Sequence, residues 1–292
     1  MKKILAKEFK VDSPILLKEK RTSLDLQANK KEIESELKRV RRKLGKLQDK
    51  LYAHGKYGVL ICLQGMDTSG KDSLIREVFK DFNSRGVVVH SFKVPTPLEL
   101  DHDYLWRHYI ALPARGKFSV FNRTHYENVL VTRVHPEYIL GEDLPGINSI
   151  DDINDEFWAQ RFDQIRNFEK HISQNGTLIF KFYLHLSKDE QKNRLLRRLE
   201  HEKKHWKFSA GDLKERKLWD EYQKYYEEAI NESSVSHAPW YVIPADDKPV
   251  ARCLVASILL EVLSSYSDIQ NPELNPKDMA NLDGYIEQLK NE

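Results

Sequence analysis

The stretch LICLQGMDTSGKDSLI, Leu60 to Ile75, reads as an apolar strand, a glycine loop and the start of a helix. Gly65 and Gly70 permit a tight backbone path, so that successive N–H groups through Met66, Thr68 and Ser69 can face a phosphate. The helix opening at Lys71 adds the positive end of its dipole, and Lys71 adds a mobile charge. In the usual phosphate loop a Ser or Thr follows the lysine, because its hydroxyl ligates magnesium. Here that position is Asp72. Asp67, a carboxylate inside the loop, is then the candidate metal ligand, with Asp72 free to turn away and Ser73 a second candidate. An ordinary strand-to-helix turn is the plain alternative, and the strand before the loop and the helix after it both count against it.

Outward from this loop, strand and helix patterns alternate. GVLICLQ precedes the helix from Lys71, VVVHSF a helix around HDYLWRHYI, and KFSVFN the helix in HYENVLVTRV. TLIFKFYLHL precedes KDEQKNRLLRRLE, and PWYVIPA precedes PVARCLVASILLEVL. Such alternation predicts an α/β fold, a doubly wound parallel sheet with helices on both faces. At 292 residues, one α/β core with appendages is expected. The boundaries read as an N-terminal helical extension over 1–54, a core over 55–266 with a lid at about 192–217, and a polar tail over 267–292.

Within the extension, Ile33, Leu37, Val40, Leu44, Leu47 and Leu51 form a heptad seam. A helix docked on the core or on its own copy follows, and a homo-oligomer, dimer or tetramer, is the expected assembly. The charges beside the seam lack interleaved aromatics for base stacking, which argues against a nucleic-acid arm. Cys62 and Cys253 sit in apolar runs and read as buried thiols. No signal-peptide core and no apolar run of membrane length is visible, so a cytoplasmic protein without membrane contact is expected.

Two further stretches carry charge where a ligand would sit. In FSVFNRTHYENVLVTRVH the strand ends at Asn122, where phosphate-loop enzymes place a metal-binding aspartate. Arg123 follows at the strand edge and is expected to clamp a phosphate bidentately, with Glu127 and Arg133 beyond it. From Lys192 to Lys217 there are ten basic residues and four acidic ones, a surplus of six in a chain whose net charge is +2. That concentration suits a lid closing over a polyanion. His201, Glu202 and His205 in the same run match a zinc-protease pattern, but Lys203, Lys204, Lys207 and Arg198 around them oppose a dication.

Taken together, GMDTSGKDS, DHDYLWRHY, FNRTHYENVLVTRVH, EQKNRLLRRLEHEKKHWKFSAGD, LWDEYQKYYEEAI and WYVIPADDK resemble the second family of polyphosphate kinases, in order from about Leu51 to Leu263. The resemblance implies a P-loop kinase with a thymidylate-kinase-like core and a helical lid. It implies reversible transfer of the terminal phosphoryl group of inorganic polyphosphate to a nucleotide, with magnesium, or manganese in its place. It gives Asp67 the role of metal-binding loop carboxylate, Lys71 that of loop lysine and Arg123 that of contact to the transferring phosphate. Arg194 and Arg198 become lid arginines along the polyphosphate path. Asn122 stands where many members have aspartate, and with Glu127 it resembles the subgroup acting on both nucleoside mono- and diphosphates. Two rivals remain: an ATP-dependent nucleoside monophosphate kinase on the same fold, and a nonenzymatic polyanion-binding protein.

Overall fold

The computed structural model describes all 292 residues. At its centre lie β1 (Gly58–Gln64), β2 (Val87–Ser91), β3 (Phe118–Asn122), β4 (Thr177–His185) and β5 (Trp240–Pro244). The five pair in the order β2-β3-β1-β4-β5, and every pairing is parallel. Every residue of β1 is buried, as its unbroken apolar run requires of a central strand covered on both faces. Val59, Ile61 and Leu63 enter one core, while Leu60 and Cys62 point into another across the sheet.

The helices are α1 (Lys30–His54), α2 (Lys71–Val78), the single turns α3 (Pro97–Leu100) and α4 (Trp106–Tyr109), α5 (Glu127–Val134) and α6 (Asp155–Gln174). After them come α7 (Lys188–Leu199), α8 (Ala210–Lys217), α9 (Trp219–Ser233), α10 (Lys248–Ser264), α11 (Pro276–Ala280) and α12 (Leu282–Asn291). Apolar residues of α1, α2 and α10 build the core on one face of the sheet, and those of α5, α6 and α9 build the core on the other.

Of the stretch 1–54, only Lys30–His54 is α-helical, and it starts where Asn29 caps the N–H of Glu32 while Glu32 caps Asn29 in return. Its seam residues Ile33, Leu37, Val40, Leu44 and Leu51 are buried against this chain's own core, beside α10. The seam is therefore filled within the chain and is not left for a second copy. Ahead of it, the N–H of Val11 donates to the carbonyl of Trp240 and that of Val242 to the carbonyl of Phe9, each at 2.9 Å. This antiparallel segment covers β5, an edge strand that would otherwise be open to another chain.

Two elements differ from the reading of the sequence. The helix expected around HDYLWRHYI is one turn, Trp106–Tyr109. The twenty-residue α6 was not anticipated, although Trp158, Phe162, Ile165, Phe168 and Ile172 recur at helical spacing behind the Asn154 cap. The tail carries α11 and α12, neither of which has a buried residue.

Candidate active site

The loops after β1 and β3 and the helices following β4 and β5 converge at the carboxyl edge of the sheet. This is where a doubly wound fold opens a crevice. They enclose a cavity of about 310 Å³ with fourteen lining residues, none of them hydrophobic. Eight are basic and two, Asp67 and Asp72, are acidic.

The glycine loop forms its floor. Gly70 has φ of +108°, and a side chain on Gly65, at φ +151°, would meet the Leu184 carbonyl at 2.9 Å. Thr68 takes φ of +66°, a strained conformation for a β-branched residue and one that marks functional loops. No protein acceptor takes the N–H groups of Gly70, Lys71 or Asp72, so the start of α2 presents free donors to the cavity. Lys71 Nζ lies on the loop's own oxygens, donating to the carbonyl of Gly65 at 2.5 Å. Burial, with Arg123 nearby, brings its pKa down to about 8 against the opposing pull of Asp67, Glu127 and Asp72.

Arg123 also holds a left-handed backbone, φ +61°. Its Nη2 donates to Asp67 at 2.9 Å and its Nη1 to Glu127 at 3.2 Å, so two carboxylates fix the guanidinium beside Lys71. Asn122 Nδ2 donates to Asp72 at 2.7 Å, which turns that carboxylate toward β3. The amide oxygen of Asn122 is buried without a partner, as is the hydroxyl of Thr68.

Beneath this turn lies a buried charged group. Lys181, in mid-β4, donates to Glu169 at 2.7 Å, to the Tyr126 hydroxyl at 2.8 Å and to the Ser233 carbonyl at 2.8 Å. Tyr126 and His125 both meet the other oxygen of Glu169. All four side chains are 0% exposed. Burial alone would raise the pKa of Glu169, but Lys181 and His125 outweigh it and hold the carboxyl below its usual range.

Of the residues singled out in the sequence, Asp67, Thr68, Gly70, Lys71, Asp72, Ser73, Asn122, Arg123, Arg194 and Arg198 line the cavity. Met66 is instead packed in the core, and Ser69 is 3% exposed under the loop. Glu127 acts through Arg123 rather than facing the cavity. Two expectations need correction. Arg194 is not free to grip a polyanion: all five of its donors are taken, by Glu190 and by the carbonyls of Thr68, Ser69, Ala245 and Asp246. It is the clamp that holds the phosphate loop to the end of β5. Arg133 lies outside the cavity, paired with Glu228 at 2.9 Å and flanked by the rings of Trp158 and Tyr225.

The cavity also gathers Arg197, Lys204, Lys207 and Lys248, which the site reading did not single out. Lys248 could have been found, since it stands just past β5 at the same sheet edge as the phosphate loop. Lys181 was visible too, as a lone charge inside an apolar strand. The zinc pattern does not form a site: Glu202–Lys207 is a 3-10 helix, and His205 faces the Leu199 carbonyl at 2.7 Å. No cluster of three or more His, Cys, Asp or Glu exists that could hold a metal by itself, and no helix is long and apolar enough to cross a membrane.

A parallel sheet with a phosphate loop at its switch point, an arginine at the next strand edge and the basic residues of 194–207 lining the same cavity defines a phosphotransferase with a P-loop kinase-like fold. Residues 27–271 match the family described as Polyphosphate kinase 2 (PPK2), and the chain belongs to that family of kinases. It is 43% identical over 277 residues to the ADP-polyphosphate phosphotransferase of Rhodopseudomonas palustris, covering 94% of each chain. It is 47% identical over 234 residues to the AMP/ADP-polyphosphate phosphotransferase of Meiothermus ruber, covering 80% of this chain and 82% of that one. The crystal structure of Polyphosphate Kinase 2 from Arthrobacter aurescens TC1 superposes with a TM-score of 0.88 at 34% identity, over 98% of this chain and 97% of that chain.

Proposed function

We propose that the protein transfers the terminal phosphoryl group of inorganic polyphosphate to nucleoside mono- and diphosphates, reversibly and without a covalent enzyme intermediate. One observation carries this reading: the cavity has eight cationic side chains and no apolar one. A donor ATP would find no surface there on which to stack its adenine, whereas a chain of phosphates needs only charge and N–H donors.

In the forward direction a terminal phosphate oxygen of the acceptor bonds to the terminal phosphorus of polyphosphate. The bridging P–O bond breaks, and the electron pair leaves with a chain one unit shorter. Catalysis then consists of placing two anions in line and neutralising the charge between them. Lys71 and the free N–H groups at the start of α2 hold the donor's end. Arg123, fixed by Asp67 and Glu127, neutralises the transferring group.

Magnesium fits this donor set. It is commonly held by one or two carboxylates plus substrate phosphates, and Asp67 with the unpartnered amide oxygen of Asn122 offers such ligands. Asp67 and Asn122 would hold the ion, whose charge would offset part of that on the phosphates. Manganese would serve the same ligands.

Acceptance of both nucleotide classes rests on the Asn122 and Glu127 pair and on likeness to the Meiothermus relative, whose name includes both AMP and ADP. The test supplies purified protein with polyphosphate and magnesium, and AMP or ADP separately, with no ATP. ADP made from AMP and ATP made from ADP are the expected products. Activity that appears only when ATP is added would overturn the reading.

A further inference from the structure

The cavity is too small for a long polyphosphate, so the chain beyond its reacting end must leave along some wall. Most cations around the cavity already have partners. Arg123 is held by Asp67 and Glu127, Arg194 is saturated, and Arg198 is bound to Asp212 at 2.9 Å and to the Lys207 carbonyl. Lys204 and Lys207 also line the cavity without an acid partner, but both are exposed to water, whereas the cations on the wall made by α10 are partly buried.

Lys248 and Arg252 stand one helical turn apart on α10, on a common face. Both are partly buried, and neither has a carboxylate within ion-pair distance. The neighbouring acids are committed elsewhere, Glu190 to Arg194 and Arg197, Glu77 to Arg41 and Arg76. Glu34, the remaining acid facing Arg252, lies near Lys30. The Nε of Arg252 is buried with no acceptor. Removing a cation from water without a counter-charge is costly, and a fold tolerates it where an anion completes the pair. Burial, then Arg194, Arg197 and Arg252, brings the pKa of Lys248 down to about 8. Lys248 reaches into the cavity beside Gly70, so the two side chains continue the floor of the site outward.

We propose that Lys248 and Arg252 form an exit track for the polyphosphate chain, which leaves the cavity over the start of α10 and away from the lid. The track rests on the proposed polyphosphate chemistry and adds a direction of threading to it. A repeating anion can meet cations along such a line without a fixed register, so the track lengthens the bound segment and leaves the reacting end unchanged.

The test compares a long-chain polyphosphate with tripolyphosphate as donor to ADP. Arg252→Gln should raise KM for the long chain about tenfold, the effect of losing one charge-assisted contact. It should leave kcat, KM for tripolyphosphate and KM for ADP within twofold of wild type. Arg252→Lys, which keeps the charge, should restore most of the long-chain preference. Lys203→Gln, at an exposed lid lysine outside the cavity, should affect neither donor. A long-chain defect in Lys203→Gln but not in Arg252→Gln would put the chain on the lid and overturn the track. An equal rise for both donors in Arg252→Gln, or none, would also overturn it. Failure of the wild-type protein to use either donor would instead sink the proposed function.

Discussion

Two groups of charge lie close together in this molecule, and they are built on opposite rules. Under the turn that carries Arg123, Lys181 is 0% exposed, and three acceptors take its three protons. At the carboxyl edge of the sheet, Lys248 and Arg252 are partly buried with no carboxylate within ion-pair distance. The lysine and carboxylate of the first group are paired within the chain, and they hold α5, α6, β4 and α9 in register. The second is incomplete without an anion. Arg194 shows that the distinction follows pairing and not location, because it lines the cavity yet spends every donor on the protein.

The largest expected effect comes from removing the loop lysine at the carboxyl edge of the sheet, a cation whose acceptors are neutral loop oxygens. Lys71→Ala should lower polyphosphate-dependent nucleotide phosphorylation by about 10²–10³-fold, the range for loss of a preorganised charge at a reacting centre. Its thermal midpoint should stay close to wild type. A variant that unfolds instead would mean that Lys71 belongs with the structural charges.

On the complete side, Lys181→Met leaves Glu169 buried without its cation and should cost about 3–5 kcal/mol in urea unfolding. Wild-type stability in that variant would break the contrast. Arg194→Lys keeps the charge but cannot supply five donors to the same acceptors, so about 1–3 kcal/mol of stability should be lost. The same substitution should impair polyphosphate use only through a loosened loop, which kcat and KM measured below the unfolding range would register.

The smallest effect is also the sharpest. Lys248→Met should raise the unfolding midpoint at pH 7 by about 2–4 °C, the shift that roughly 1 kcal/mol makes in a chain of this size, while weakening polyphosphate binding. The folded pKa of Lys248 is about 8, below its ordinary 10.5, so the folded state carries the charge at a cost. That cost is present in full below pH 8 and is relieved as pH rises from 8 toward 10.5. The gain from the substitution should follow the same window and vanish at its upper end. A gain independent of pH would mean that packing, and not charge, is responsible.

Much of the fold was legible because it is written in short-range patterns. Five apolar runs became the five strands, and the loop from Gly65 to Ser73 lies where a strand meets a helix. The helix in 155–174 was equally legible in its spacing but carries no chemical motif to draw the eye to it. Within the site, the residues next to a strand end, Asp67, Lys71, Asn122 and Arg123, are those the sequence places well, since their positions depend on a few neighbouring backbone angles.

What sequence by itself determined, then, is the alternation of strands and helices, the phosphate loop, and the sign of charge around it. Only the tertiary structure decided which of those charges remain available. Arg133, Arg194 and Lys248 are all single basic residues in the sequence, yet one is flanked by aromatic rings, one is saturated by carbonyls and one stands unpaired in the cavity. Their fates depend on partners up to 126 positions away, as for Arg194 and the Thr68 carbonyl. A cation's electrostatic energy is set by whatever surrounds it in space, which its local sequence does not specify.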